Sequence, residues 1–269
     1  MDEYMELAAA VAVVTGGSGS IGQAVSEALS RRGARVARWD MRRAPDVLEC
    51  DVTDPASVQA TLQRTCEELG TPSILVNTAG IAGPFATPAA DADGDTWDNV
   101  LCRNDTWMKV FEVNVVGCLN CCREFARRLI AEGSRGAIVN TTSISGGPVV
   151  EPGLAAYSAS KASVNMLTRL AATEFGRHGI SVNAIGPGLM AVGMAAPDGT
   201  APSRRSTEFV DAVSERTPLG HRLGEASDIA QAVLGILAMD WVTGQIILAD
   251  GGLTLTSPVP KPSRVVAPG

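Results

Sequence analysis

The sequence predicts one doubly wound, parallel α/β sheet with helices on both faces. Three observations point there. Short continuous apolar runs alternate with amphipathic stretches along most of the 269 residues. A glycine-rich turn, Thr15-Gly16-Gly17-Ser18-Gly19-Ser20-Ile21-Gly22, separates the first apolar run from the first amphipathic one. Aromatic residues make up only 4% of the chain while Ala, Val and Gly abound, a composition suited to close packing of helices on a sheet.

The apolar runs place strands at Val11–Thr15, Arg35–Trp39, Ile74–Val76, Ala137–Asn140, Ser181–Ile185 and Ile246–Leu248. Continuous rather than alternating hydrophobicity is expected where both sheet faces are covered. Between the strands, Ile21, Val25, Ala28 and Leu29 form one helical stripe. Val164, Leu167, Leu170 and Ala171 form another. Strands alternating with such stripes imply right-handed βαβ units. No stretch rich in Pro, Gly or Ser divides the chain, so residues 1–269 read as one domain. Residues 1–6 form a short acidic extension, and 257–269 a tail carrying Pro258, Pro260, Pro262 and Pro268.

Charge and cysteine use narrow the function. The formal net charge is −7 and the sequence pI is near 4.9, with no basic stripe to offset it. Nucleic acid is therefore not an expected partner. The first apolar run, Leu7–Val14, falls far short of the roughly 20 residues a membrane span needs. The acidic start is wrong for a signal peptide, and the expected location is the cytoplasm. The six cysteines show no metal-ligand spacing, and His178 and His221 are the only histidines, so no metal is expected. Cys118, Cys121 and Cys122 share one predicted helix and read as buried thiols.

A local duplication stands out. Residues 95–104 and 105–114 repeat Asp, Thr, Trp, Val and Asn at an offset of ten. It enlarges the segment before a helix expected to begin near Asn114.

The glycine turn suits a dinucleotide: small residues let backbone N–H groups approach a pyrophosphate, and a helix N-terminus adds partial positive charge. The second strand ends at Asp40, eighteen residues past Gly22. A carboxylate there can accept both ribose hydroxyls and repel a 2′-phosphate, which favours NAD over NADP. A helix N-cap is the plainer reading of Asp40, and Arg42 and Arg43 would pull towards NADP. At the catalytic end, Tyr157 and Lys161 stand four residues apart, on one face of a helix, in a chain with only two tyrosines and three lysines. An ammonium beside a phenol lowers the phenol's pKa, so it can exchange a proton with an alcohol or carbonyl. Ser143 follows the strand Ala137–Asn140, at the strand end where open sheets bind ligands, with Ser145 the alternative.

Together these motifs resemble the short-chain dehydrogenase/reductase family from about Val11 to Leu255. The resemblance implies a Rossmann-like fold and a catalytic tetrad of Asn114, Ser143, Tyr157 and Lys161. It also implies cofactor contacts from Gly16, Ser18, Ser20, Ile21, Gly22, Asp40, Met41, Asp51, Val52, Asn77, Ala79, Gly80, Tyr157, Lys161, Pro187, Gly188 and Met190. Three positions depart from the family pattern: Ser20 replaces the middle glycine of the turn, Thr78 the second asparagine of the Asn-Asn-Ala-Gly motif, and Val192 a threonine. The implied reaction is NAD-dependent interconversion of a secondary alcohol and a ketone, with Asn114 anchoring a water that relays the proton. Reduction of 3-oxoacyl thioesters and nucleotide sensing without turnover are the alternatives. The substrate pocket is expected from Ile81–Asn104, Gly146–Glu151 and Leu189–Arg216. Phe85, Val149, Val150, Met190 and Met194 would form an apolar wall, with Arg204 and Arg205 in a lid-like segment. By analogy the chain forms a homodimer or homotetramer through Cys118–Ile130 and the helix bearing Tyr157.

Overall fold

The computed structural model describes residues 7–83, 91–94, 97–101, 103–150, 153–191 and 207–256. Seven parallel strands form one sheet in the order β3-β2-β1-β4-β5-β6-β7. They are β1 Val11–Thr15, β2 Arg35–Asp40, β3 Val47–Glu49, β4 Ile74–Asn77, β5 Gly136–Thr141, β6 Ile180–Pro187 and β7 Ile246–Ala249. The helices are α1 Ser20–Arg31, α2 Pro55–Leu69, α3 Asn104–Phe111, α4 Cys118–Glu132, α5 Ala155–Gly176, α6 Thr207–Arg216 and α7 Ala226–Leu237.

Successive side chains of a strand point to opposite faces, and β1 divides on that rule. Val13 joins Leu75, Ile138 and Val182 on the face covered by α2, α4 and α5, where Val58, Leu62, Phe125, Leu129 and Val164 are buried. Ala12 and Val14 join Ile74, Val76, Val139 and Ile185 on the other face, under Val25 and Leu29 of α1 and Ile229 and Val233 of α7. Every β1 residue is buried. Each fully buried Val, Leu or Ile contributes roughly 1.5–3 kcal/mol relative to exposure. Truncating Ile138, wholly buried in the central strand β5, would cost about 2–5 kcal/mol. Helix starts are locally encoded too: Asp54 accepts a hydrogen bond from the Ala56 N–H at 2.9 Å, with Pro55 opening α2.

The chain runs outward from β1 through β2 to β3, then returns to place β4 against the other side of β1. That reversal opens a crevice at the carboxyl ends of β1 and β4.

The six expected strands are all present, most of them a residue or two longer. The seventh, β3, is a correction: it is a short, half-exposed edge strand paired with β2, too brief for an apolar run to reveal. The helix expected to begin near Asn114 instead starts at Asn104, so Asn114 lies within a continuous helical run. Leu170 faces solvent, and α5 buries Asn165 and Thr168 along with Val164 and Ala171. Cys50, Cys118, Cys121 and Cys122 are buried free thiols. Burial pushes the Cys121 thiol up. Residues 1–6 and 257–269, Cys102, and the pocket candidates Phe85, Glu151, Val192, Met194, Arg204 and Arg205 lie outside the described residues.

Candidate active site

The crevice is built first from glycine. Gly16 adopts a positive φ of 65°, and a Cβ there would meet the Ala79 backbone nitrogen at 2.7 Å. A Cβ on Gly22 would run into the Gly16 carbonyl. These two glycines allow the β1–α1 turn to lie flat against the β4 loop. Gly19, at the N-cap of α1, offers no side-chain acceptor to the first N–H groups of the helix. The Ser18 hydroxyl is buried without a partner beside them. Free amides and an orphaned hydroxyl at a helix start fit an anionic group such as a pyrophosphate. Ser20 and Ile21 open α1, with Ser20 exposed where the family has a glycine.

Asp40, the last residue of β2, accepts from the Ser18 N–H at 3.0 Å and the Arg42 N–H at 2.9 Å. It therefore pins the glycine turn to the next bend and caps no helix. Each carboxylate oxygen keeps a lone pair. Arg43 is drawn to Glu49 at 2.8 Å. Met41 is largely exposed beside Asp40. Asp51 braces its own loop by accepting from the Thr53 N–H and hydroxyl. Val52 is buried against Gly117, where a Cβ would come within 2.6 Å of it. On the far wall, the Gly188 N–H donates to the Ala249 carbonyl just past Pro187, and Met190 is buried against Gly224.

In the Asn77-Thr78-Ala79-Gly80 loop the first two side chains tie neighbouring strands together. Asn77 turns its side chain inward, donating to Asn140 at 2.9 Å. Thr78, replacing an asparagine, donates its hydroxyl to the Thr15 carbonyl at 2.5 Å, so a shorter side chain still ties β4 to β1. Gly80 is where the two halves of the site meet. A Cβ on it would lie 3.1 Å from Asn114 Oδ1 and 3.4 Å from Lys161 Nζ.

Asn114 sits in a π-helical turn, Glu112–Gly117, between α3 and α4. Such wide turns recur at functional sites because they re-aim a side chain. Asn114 Oδ1 accepts from the Ile81 N–H at 2.8 Å. Its Nδ2 donates to the Ile81 carbonyl and to Ser160 Oγ, each at 2.9 Å. Ser160 in turn donates to the Tyr157 carbonyl at 2.7 Å. Asn114 thus fastens the β4 loop to α5 one turn from Tyr157. Sequence reading missed Ser160, whose only signal was a hydroxyl at a buried helical spacing.

Tyr157 and Lys161 are both buried on α5. The Lys161 ammonium lies 5.6 Å from the Tyr157 ring centroid and donates to the Thr141 carbonyl at 2.9 Å. Burial pushes the Lys161 ammonium down to about 8, against a smaller opposing effect of Cys118. Ser143, buried at the end of β5, begins a 3-10 turn and accepts from the Ser145 N–H at 3.1 Å. Gly146 closes that turn against α5, where a Cβ would come within 2.7 Å of the Lys161 carbonyl carbon. The four positions expected to form a tetrad lie on segments tied to the carboxyl ends of β4 and β5, through Ile81 and the Thr141 carbonyl. Val150 is a correction to the apolar wall: it is 91% exposed and points to solvent, whereas Val149 packs on Ile144.

A glycine cradle for an anion beside a buried Tyr–Lys pair defines a dinucleotide-dependent oxidoreductase site. Comparison with known proteins agrees. A family model described as enoyl-(acyl carrier protein) reductase matches residues 16–254. The chain is 35% identical over 260 residues to the cis-4-hydroxycyclohexanecarboxylate dehydrogenase of Sinomonas cyclohexanicum, covering 91% of this chain and 96% of that one. It is 36% identical over 262 residues to the galactitol 2-dehydrogenase (L-tagatose-forming) of Cereibacter sphaeroides, covering 91% and 95%. The ligand-free aldohexose dehydrogenase of Thermoplasma acidophilum matches with a TM-score of 0.76 at 26% identity, over 97% of this chain and 100% of that one. The chain belongs to the short-chain dehydrogenase/reductase family. It is an NAD(P)-dependent oxidoreductase of small-molecule alcohols and ketones. Among the described residues no helix is long and apolar enough to cross a membrane.

Proposed function

We propose that the chain is an NAD-dependent dehydrogenase that interconverts a secondary alcohol and a ketone, with Tyr157 as the general acid/base. The observation that carries this reading is the buried Tyr157–Lys161 pair, with the ammonium 5.6 Å from the ring centroid and beside Gly80. Gly16, Ser18, Ser20, Ile21 and Gly22 would hold the pyrophosphate, and Asp51 and Val52 the adenine. Ala79, Gly80, Pro187, Gly188 and Met190 would line the bed of the remainder. The nicotinamide supplies the hydride chemistry when bound. Tyr157 takes the proton from the substrate hydroxyl, or returns it to the carbonyl. The Lys161 ammonium favours the phenolate by charge. Ser143 holds the substrate oxygen. Asn114 keeps the Ile81 loop and α5 in register. NAD rather than NADP is favoured because Asp40 puts a carboxylate at the end of β2, while Arg43 is occupied by Glu49.

The names of the relatives, a hydroxycyclohexanecarboxylate and a hexitol dehydrogenase, support a carbocyclic or polyol secondary alcohol as substrate. Exposed Val116, Leu119 and Ile130 around α4, and Met166 and Leu170 on α5, support a symmetric dimer or a tetramer built on it.

Tyr157→Phe tests the assignment. Turnover of an alcohol panel with NAD should fall by about a thousandfold or more, while NADH affinity changes less than about threefold. Retained turnover would remove Tyr157 from the chemistry.

Protonation of Lys161 gives a second test. Its ammonium is present below about 8 and lost above it. A dinucleotide is anionic, so NADH affinity should weaken by up to about tenfold between roughly pH 7 and 9.5. Lys161→Met should flatten that dependence. The same depressed value means that the unfolded chain holds the extra proton between about 8 and 10.5. This group therefore adds stability as pH rises through that window.

A further inference from the structure

Beneath the crevice floor, buried polar side chains cross the sheet from the cofactor half to the catalytic helix. The Ala79 N–H reaches Thr15 Oγ1 at 3.3 Å, and Thr15 Oγ1 donates to Asn77 Oδ1 at 3.3 Å. Asn77 Nδ2 donates to Asn140 Oδ1 at 2.9 Å, and Asn140 Nδ2 donates to Thr168 Oγ1 at 3.0 Å. Thr168 Oγ1 donates to the Val164 carbonyl at 2.8 Å. The run has a single direction, and Thr168 sets it. Its one hydroxyl proton goes to Val164, so it can only accept from Asn140. That orients the Asn140 amide with Oδ1 towards Asn77, which orients Asn77, which makes the Thr15 hydroxyl a donor there and an acceptor from Ala79. The Cys118 and Cys122 thiols also approach Asn140 Oδ1, at 3.3 and 3.5 Å. Thr15, Asn140 and Thr168 are at most 1% exposed and Asn77 only 5%, so a broken link leaves a buried group unpaired.

The run ends on the machinery at both sides. Ala79 adjoins Gly80, and Asn140 precedes Thr141, whose carbonyl accepts the Lys161 ammonium. Thr142 then donates its hydroxyl to the Lys161 carbonyl at 3.1 Å. Thr168 stands two helical turns beyond Lys161 on the buried face of α5.

We infer that Asn140 and Thr168 are positioning residues that set the axial placement of α5, and hence of Tyr157 and Lys161, against the cofactor-side loop. The inference rests on the proposed roles of that pair. Thr168→Val keeps the volume and removes the hydroxyl. In it kcat should fall at least about tenfold, with NADH affinity within about twofold of the parent. The rising limb of kcat against pH in alcohol oxidation should move up by about half a unit or more, because the ammonium no longer sits squarely beside the phenol. Thr168→Ser, which keeps the hydroxyl, should restore both kcat and the limb. A merely structural threonine would lower the melting temperature while leaving kcat per folded molecule and the limb in place, and that result overturns the inference. So does a serine variant as slow as the valine. Should Thr168→Val not fold, Thr168→Ala decides in its place: kcat per folded molecule lowered at least about tenfold with the limb moved upholds the inference, and parental kcat and limb overturn it. Tyr157→Phe run alongside separates the two levels. If it stays active, the catalytic reading falls; if it is dead while Thr168→Val is normal, only the positioning role falls.

Discussion

Residues 95–104 and 105–114 carry Asp, Thr, Trp, Val and Asn at matched places, yet the two copies settle into different structures. In the first copy, Trp97–Asn99 makes a single 3-10 turn, and Leu101 takes a positive φ of 58°. Trp97 is 57% exposed and Asn104 faces solvent. In the second copy the matching residues lie in α3 and the π-helical turn. Val110 is wholly buried against Ala156, Trp107 stacks on Phe111 with centroids 5.6 Å apart, and Asn114 is buried with three hydrogen bonds from its side chain. The copies share five of ten residues, and the others lean the second copy towards helix: Met108, Lys109 and Glu112 stand where the first has Asp98, Asn99 and Cys102. The flanks add to that preference. The second copy continues into Val115-Val116-Gly117, where Gly117 leaves room for Val52, and then into the buried cysteine face of α4. Tertiary contact and propensity point the same way here.

The largest expected effect that bears on this contrast is catalytic. Asn114→Ala should lower kcat by about a hundredfold or more, because the Ile81 loop and Ser160 lose their anchor. Asn104→Ala should stay within about twofold. Steady-state assays of the two variants side by side would break the contrast if both were equally impaired. Next comes stability. Val110→Ala should cost about 2 kcal/mol in denaturant unfolding, against less than about 0.5 kcal/mol for Val100→Ala, whose side chain is only half-buried. The smallest effect is local. Trp107 Nε1 donates to the Leu101 carbonyl at 2.6 Å, a bond that ties the second copy back onto the first. Trp107→Phe should cost about 0.5–1 kcal/mol and speed amide exchange around Leu101, while Trp97→Phe should change neither.

Much of the fold was legible because a doubly covered parallel strand writes its burial directly into sequence as an apolar run. β1, β4, β5 and β6 were found that way. β3 was not, since an edge strand of three half-exposed or exposed residues leaves no such run. The proposed tetrad is written as residue types at set spacings, but the side chains that hold those positions are not. Asn140, Thr168 and Ser160 look in sequence like ordinary polar positions. Their partners lie 28 to 63 residues away or across the sheet, and only the packed structure brings them together. The duplication likewise announced itself in sequence, yet the packing of its second half on Ala156 and Gly83 did not, since both lie far along the chain. Val150 shows the opposite error, an apolar residue taken for pocket lining that points to water.

The wide turn at Glu112–Gly117 has one more consequence. It holds one residue more per loop of backbone than the regular spiral on either side. Excising a single residue there would let α3 and α4 fuse into an ordinary helix, with both halves kept in phase and only the side chains of the turn re-aimed. The amide of Asn114 would then lose Ile81 while the sheet beneath stayed whole. A one-codon deletion could thus silence the enzyme without unfolding it.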